Sequence, residues 1–245
     1  MKKDNYECVW KDDFDKSSNL DLNKWEFSVG GNGWGNGELQ FYTENRKKNI
    51  QIINNQLVIR SIFEKYQNKN FTSAKIISKT SWKYGKIRVR AKLPLAKGTW
   101  PAIWMLPASY NGTNWPNCGE IDICEHYGHT IGEFLFSMHS YKYNYFKNNK
   151  FHKAINLIDI VNQFNIFEIE WDENYILFKI NNETYYSACK SECEYKNNNE
   201  WPFDQEFRLI INLAVGGFEA GKYGIDVEKW PQEFIIDYVR IYQKT

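Results

Sequence analysis

No stretch of about 18 consecutive apolar residues occurs in the 245-residue chain, which excludes a transmembrane helix. An excess of one charge sign is also missing: 31 basic residues stand against 30 acidic ones, a net charge of +1. Such a balance gives nucleic acid or an anionic membrane no electrostatic footing. Cys-x-x-Cys pairs and Cys/His ligand spacings are lacking, which removes the zinc-site reading. The five cysteines are odd in number, so at least one has no partner within the chain. Cys118 and Cys124 would stand roughly 20 Å apart on an extended strand, too far to bond. Cys189 and Cys193 could bond if the polar segment between them turns. The N-terminal segment from Met1 to Cys8 lacks the apolar stretch of a signal peptide, which leaves two readings: an intracellular protein, or a chain that begins after processing. Three Asn-x-Thr sequons, at Asn70, Asn111 and Asn182, matter only if the host glycosylates secreted proteins.

What is abundant is aromatic: 17% of residues, ten of them Trp. Aromatic side chains favour strands, and their flat faces also stack on sugar rings. Short strand-like segments separated by turn signals run from end to end, among them 56–63, 85–92, 134–140, 167–171, 175–180, 207–215 and 234–242. Phe167-Glu168-Ile169-Glu170-Trp171 alternates as a strand with one wet face should. Asn181-Asn182 reads as a hairpin turn, since Asn tolerates positive φ. No long helical periodicity competes with these strands, and no linker or repeat interrupts them. The expectation is an all-β fold, a two-sheet antiparallel sandwich of jelly-roll type, in a single domain over residues 1–245. The Gly-rich run Gly30 to Gly37 lacks the Lys-Ser/Thr of a phosphate-binding loop and has no βαβ surroundings, so it reads as a loop bringing Trp34 and Asn36 to a rim.

The segment that carries chemistry is Glu120-Ile121-Asp122-Ile123-Cys124-Glu125. Three carboxylates inside an apolar, β-branched run are costly to bury, and a plain structural strand would hold none. By alternation Glu120 and Asp122 share a face while Glu125 points the other way. A β-bulge near Ile123-Cys124 would return Glu125 to the face of the other two. Glu120 and Glu125 are then about four rises, roughly 13 Å, apart at the backbone. Side chains leaning toward each other leave the carboxyl groups on the order of 5–6 Å apart, the separation that suits retaining glycoside hydrolysis. Glu120 is the expected nucleophile and Glu125 the general acid and base, its pKa raised by the charges beside it. Asp122 orients the nucleophile, and the trio titrates as a unit.

Beyond this strand the chain resembles the laminarinase-type members of glycoside hydrolase family 16. The resemblance runs through Gly33-Trp34-Gly35-Asn36-Gly37-Glu38-Leu39-Gln40-Phe41-Tyr42-Thr43, Lys92-Leu93-Pro94 and Gly98-Thr99-Trp100-Pro101-Ala102-Ile103-Trp104-Met105-Leu106-Pro107. It continues through Gly119 to Glu125, Trp201 to Gln205, Asn212 to Gly217 and Asp237 to Gln243. The longer E-x-D-x-x-E form looks like the β-1,3-glucanase branch. The resemblance implies Trp100 and Trp104 as sugar-stacking platforms, His139 near the cleavage point, and Asn36, Lys75 and Asn212 as substrate contacts. It implies a structural calcium on Asp237, no cofactor for catalysis, a β-glucan as substrate, a monomer, and an extracellular location. Asp237 alternates with Ile235, Val239 and Ile241, which places it on an apolar face. Two positions depart from the family pattern: Gly37 replaces the second Asn of Gly-Asn-Asn-Glu, and Lys75 stands where relatives usually carry Arg.

The reading is a retaining endo-hydrolase of β-1,3-glucan, with mixed β-1,3/1,4-glucan as a further substrate. Its alternatives are a non-catalytic carbohydrate-binding sandwich, a hydrolase of another polysaccharide, and a transglycosylase using the same intermediate. A binding module has no use for a nucleophile–acid pair, and a sulfated polymer would call for basic residues that the loop motifs lack.

Overall fold

The structure, a computed structural model, describes residues 5–147 and 150–245; the first four residues of the N-terminal segment discussed above lie outside it. In chain order the strands are β1 (Tyr6–Asp12), β2 (Trp25–Phe27), β3 (Gln40–Tyr42), β4 (Ile50–Ile53), β5 (Gln56–Tyr66), β6 (Lys69–Ser73), β7 (Lys75–Trp82) and β8 (Gly85–Lys92). They continue with β9 (Thr99–Pro107), β10 (Glu120–Glu125), β11 (Glu133–His139), β12 (His152–Asn156), β13 (Asn165–Trp171), β14 (Tyr175–Ile180), β15 (Glu183–Cys189), β16 (Phe207–Val215) and β17 (Gln232–Lys244). One short helix, α1 (Gly217–Ala220), follows β16. The strands form two sheets. One runs β15-β14-β13-β8-β17-β5-β6-β3, with β1 beside β17 and β4 beside β5; the other runs β12-β11-β10-β9-β16-β7-β2. Pairing is antiparallel except between β3 and β6. This is the sandwich that the strand pattern predicts.

Period-two alternation explains the layers. In β8 the side chains of Ile87, Val89 and Ala91 are buried, while Lys86, Arg88, Arg90 and Lys92 face outward. From the other sheet Ile103, Met105, Ile121, Ile123, Ile211 and Leu213 meet them in one core. The turn joining β14 to β15 puts both Asn181 and Asn182 at positive φ, 52° and 70°, the conformation that Asn tolerates.

Two expectations about strand faces are corrected. The face of β13 bearing Glu168 and Glu170 is not wet: Glu168 is 2% exposed, paired with Arg88 of β8 and within 4.0 Å of Lys179 of β14. Opposite charges on neighbouring strands cover the carboxylates, which single-strand alternation does not reveal. In β17 a register shift between Ile236 and Tyr238 breaks the phase, so Ile236, Val239 and Ile241 enter the core and Asp237 turns outward. All five cysteines are free thiols, Cys189 and Cys193 included. No helix among the described residues is long and apolar enough to cross a membrane.

Candidate active site

The second sheet has its core on one face and its chemistry on the other. The register of β10 against β9 shifts between Asp122 and Cys124, and against β11 between Asp122 and Glu125. That bulge lets Ile121, Ile123 and Cys124 all join the core, and it leaves Glu120, Asp122 and Glu125 together on the opposite face. Each outer carboxylate has its own indole donor. Trp115 Nε1 donates to Glu120 Oε2 at 2.9 Å, and Trp100 Nε1 donates to Glu125 Oε1 at 2.8 Å. Asp122 lies between them, 3% exposed and hydrogen-bonded to Glu120, which requires a proton between the two carboxyls.

Burial sets the electrostatics. It pushes Glu120 up to about 8, helped by the negative charge of Asp122 and opposed by His139 and the Trp115 bond. It pushes Asp122 well above the usual carboxylate range, with the charge of Glu125 adding to the effect. Glu125 is raised too, again first by burial, with the Trp100 bond holding it back. Asp122 is the most enclosed of the three and its Oδ2 makes no aligned hydrogen bond, whereas Glu120 accepts from the Trp115 indole. The pair thus titrates as one buried unit with a raised pKa, and the Trp115 indole favours the ionised form of Glu120.

His139 faces the pair from β11, its Nε2 3.2 Å from Asp122 Oδ2 and 3.9 Å from Glu120 Oε1. The ligating atoms of Glu120, Asp122 and His139 lie within 4.8 Å of one another, the one such cluster among the described residues. The proton held between Glu120 and Asp122 already neutralises one charge there, so the cluster reads as an acid–base site.

A second network supports this face from β16 and the Gly-rich loop. Trp104 Nε1 donates to Asn212 Oδ1 at 2.7 Å, and Asn212 Nδ2 donates to the Tyr42 hydroxyl at 3.0 Å. Tyr42, Gln40 and Asn36 all donate to the buried carboxylate of Glu38, whose pKa burial raises. The Lys75 ammonium lies between two indoles, 4.5 Å from the Trp34 ring centre and 4.6 Å from that of Trp104. Burial lowers its pKa to about 8, against the pull of Glu38 and Glu120. Asn36 is exposed, while Trp34 is partly buried against Tyr42.

Of the residues expected from the sequence, Glu120, Asp122, Glu125, Trp100, Trp104, His139, Asn212 and Lys75 meet on this face, with Asn36 at its edge. Asp237 does not. It sits on the other sheet, with Arg90 Nη1 at 2.6 Å and the Gln56 amide at 3.5 Å from its oxygens. A guanidinium and an amide donor occupy the carboxylate that a calcium ion would need, so these residues do not fit that ion. Trp115, Glu38 and Tyr127, whose ring packs edge-on against Trp100, are site residues that the sequence reading missed. Glu38 had a signal, because Glu38, Gln40 and Tyr42 alternate with Leu39 and Phe41. Trp115 and Tyr127 lie in loops and had none.

Comparison with known proteins agrees with this geometry along nearly the whole chain. The family described as glycosyl hydrolases family 16 matches residues 3–240. A β-glucanase of Rhodothermus marinus is 39% identical over 251 residues, covering 99% of this chain and 87% of that protein. A glucan endo-1,3-beta-glucosidase of Cryptopygus antarcticus is 33% identical, covering 94% of this chain and 90% of its own. Among solved structures, the laminarinase from Rhodothermus marinus superposes with a TM-score of 0.93 at 38% identity, covering 98% of both chains. The sandwich, the acidic bulged strand and these similarities lead to one assignment: the chain is a glycosidase and belongs to glycosyl hydrolases family 16.

Proposed function

We propose that the protein is a retaining endo-hydrolase of β-1,3-glucan that also accepts mixed β-1,3/1,4-glucan. It acts as a single catalytic unit over residues 1–245, as a monomer, without a metal or organic cofactor in the reaction. Glu120, its ionised form favoured by the Trp115 indole, attacks the anomeric carbon and forms a glycosyl ester. Glu125 gives its proton to the departing glycosidic oxygen. That transfer leaves Glu125 as a carboxylate beside an uncharged ester. Glu125 then takes a proton from the water that hydrolyses the ester. Trp100 and Trp104 offer flat apolar faces to sugar rings, and Lys75 and Asn212 offer polar contacts beside them.

One observation carries this reading: the bulge of β10 that puts Glu120 and Glu125 on one face, each held by its own indole. The names of the relatives support the substrate class. A glucan polymer is too large to enter a cell, which favours action outside it. Laminarin, lichenan and barley glucan, followed by mass spectrometry and by NMR of the fresh product anomer, test the proposal. Fragmentation of laminarin to β-anomers is expected, with Glu120→Ala inactive yet still binding oligosaccharide. Inertness on all three polymers would transfer the assignment to another polysaccharide.

A further inference from the structure

The loop after β11 and the turn after β16 come from opposite ends of the catalytic strand, and they touch. The loop starts beside His139, whose register partner on β10 is Glu120. It carries Phe146, 77% exposed, whose ring meets Trp115, the indole donor to Glu120, at 5.9 Å. The turn starts at Val215, paired with Thr99, next to the Trp100 that bonds Glu125. Between the two lie β11, β10, β9 and β16, three inter-strand steps or about 14 Å across, and the distance from Glu120 to Glu125 lengthwise adds about 13 Å. Across this diagonal the Tyr145 hydroxyl donates to Glu219 Oε1 at 2.8 Å.

The Glu219 side of the contact is firmly seated. Phe218 N donates to Asn36 O at 2.8 Å, and the Phe218 ring lies over Gly37. Gly37 has φ +67°, and a Cβ there would stand 3.0 Å from Phe218 Cε1. The residue that departs from the family loop thus makes room for the aromatic that anchors Glu219. The contact also lies close to the reacting groups: the Tyr127 phenol, edge-on to Trp100, is raised first by burial and then by the carboxylates of Glu125 and Glu219.

We infer that Tyr145 and Glu219 form a specificity-determining clasp over the catalytic face, which admits the interior of a long glucan only when their hydrogen bond opens. This rests on the glucanase reading and deepens it. With the bond made, the face is a passage that a short chain or a chain end enters lengthwise. With the bond broken, it is an open trough that a polymer can enter sideways. Both side chains are at the surface of the site and neither donates or accepts the catalytic proton.

The test compares kcat/KM on laminarin with kcat/KM on a β-1,3-linked glucose pentamer for the wild type, Tyr145→Phe and Glu219→Gln. Both variants are expected to raise the polymer-to-pentamer ratio at least threefold and to shift early laminarin products toward longer fragments. An unchanged ratio in Tyr145→Phe overturns the clasp. So does a ratio that moves only in Glu219→Gln together with a shifted pH profile, since that marks a charge effect on Glu125. Wild-type inactivity on both substrates would instead count against the glucanase reading.

Discussion

At the scale of single residues, the site is three carboxylates that the fold keeps partly protonated. The Glu120–Asp122 pair holds one proton up to about pH 8 because burial penalises a second charge. A carboxyl whose folded pKa lies above its unfolded value contributes stability below the unfolded pKa and loses it as pH rises through the folded one. Stability should therefore fall between pH 5 and pH 9, by roughly 2–4 kcal/mol from this pair. Glu120→Gln should flatten the fall, so that its unfolding midpoint matches the wild type at pH 5 and exceeds it at pH 9; parallel curves in a thermal melt series would contradict this. Trp115→Phe removes the donor to Glu120, a bond to a charged group worth about 1.5–3 kcal/mol. Its kcat should drop about tenfold or more, and the acid limb of its kcat/KM profile should move to higher pH, because Glu120 then ionises less readily.

At the scale of elements, the bulge decides which face Glu125 takes. Deleting Cys124 gives the straight sequence Glu-x-Asp-x-Glu, in which alternation alone keeps all three carboxylates on one face, so measurable hydrolysis should survive. Inserting one Ala after Cys124 should abolish activity on either path: with the bulge kept, Glu125 turns into the core, and with the bulge lost it keeps its face but stands about two rises, roughly 7 Å, farther from Glu120, with circular dichroism reporting any loss of folding. Equal activity in the two variants would break the argument. The same rule shows what the sequence could reveal. The strands of β8, β14 and β16 were legible because alternation and turn residues bound them, and the Asn181-Asn182 turn because Asn tolerates its φ. The bulge in β10 was legible because three carboxylates needed one face. The bulge in β17 was not, since nothing costly marked the face of Asp237, and the cover over Glu168 depends on Arg88, 80 residues away. Trp115, Tyr127 and Tyr145 lie in loops and Glu219 in the one-turn helix α1, where no period links a residue to its place. Their positions are set by contacts between distant segments.

At the scale of the molecule, the two sheets divide the labour. The inner faces pack Trp25, Phe136, Phe178, Phe207 and their neighbours into a dense core, and that core holds rigid the strands whose outer face carries the buried charges. The other sheet is finished by ion pairs, among them Arg88 with Glu168 and Arg90 with Asp237. Since Arg90 takes the carboxylate of Asp237, a chelator should shift the unfolding midpoint by less than about 1 °C and leave laminarin hydrolysis unchanged. A drop of several degrees, reversed by added calcium, would show that the Asp237 carboxylate leaves Arg90 for the ion.

The most direct measurement is to trap the glycosyl ester with a 2-deoxy-2-fluoro laminaribiosyl donor bearing a good leaving group, and to map the label by peptide mass spectrometry. The bulged strand predicts a single adduct on Glu120, formed at full rate only when Trp115 is present. A label on Glu125 or Asp122, or turnover to α-anomers with no adduct, would contradict the assignment of attacker and proton donor.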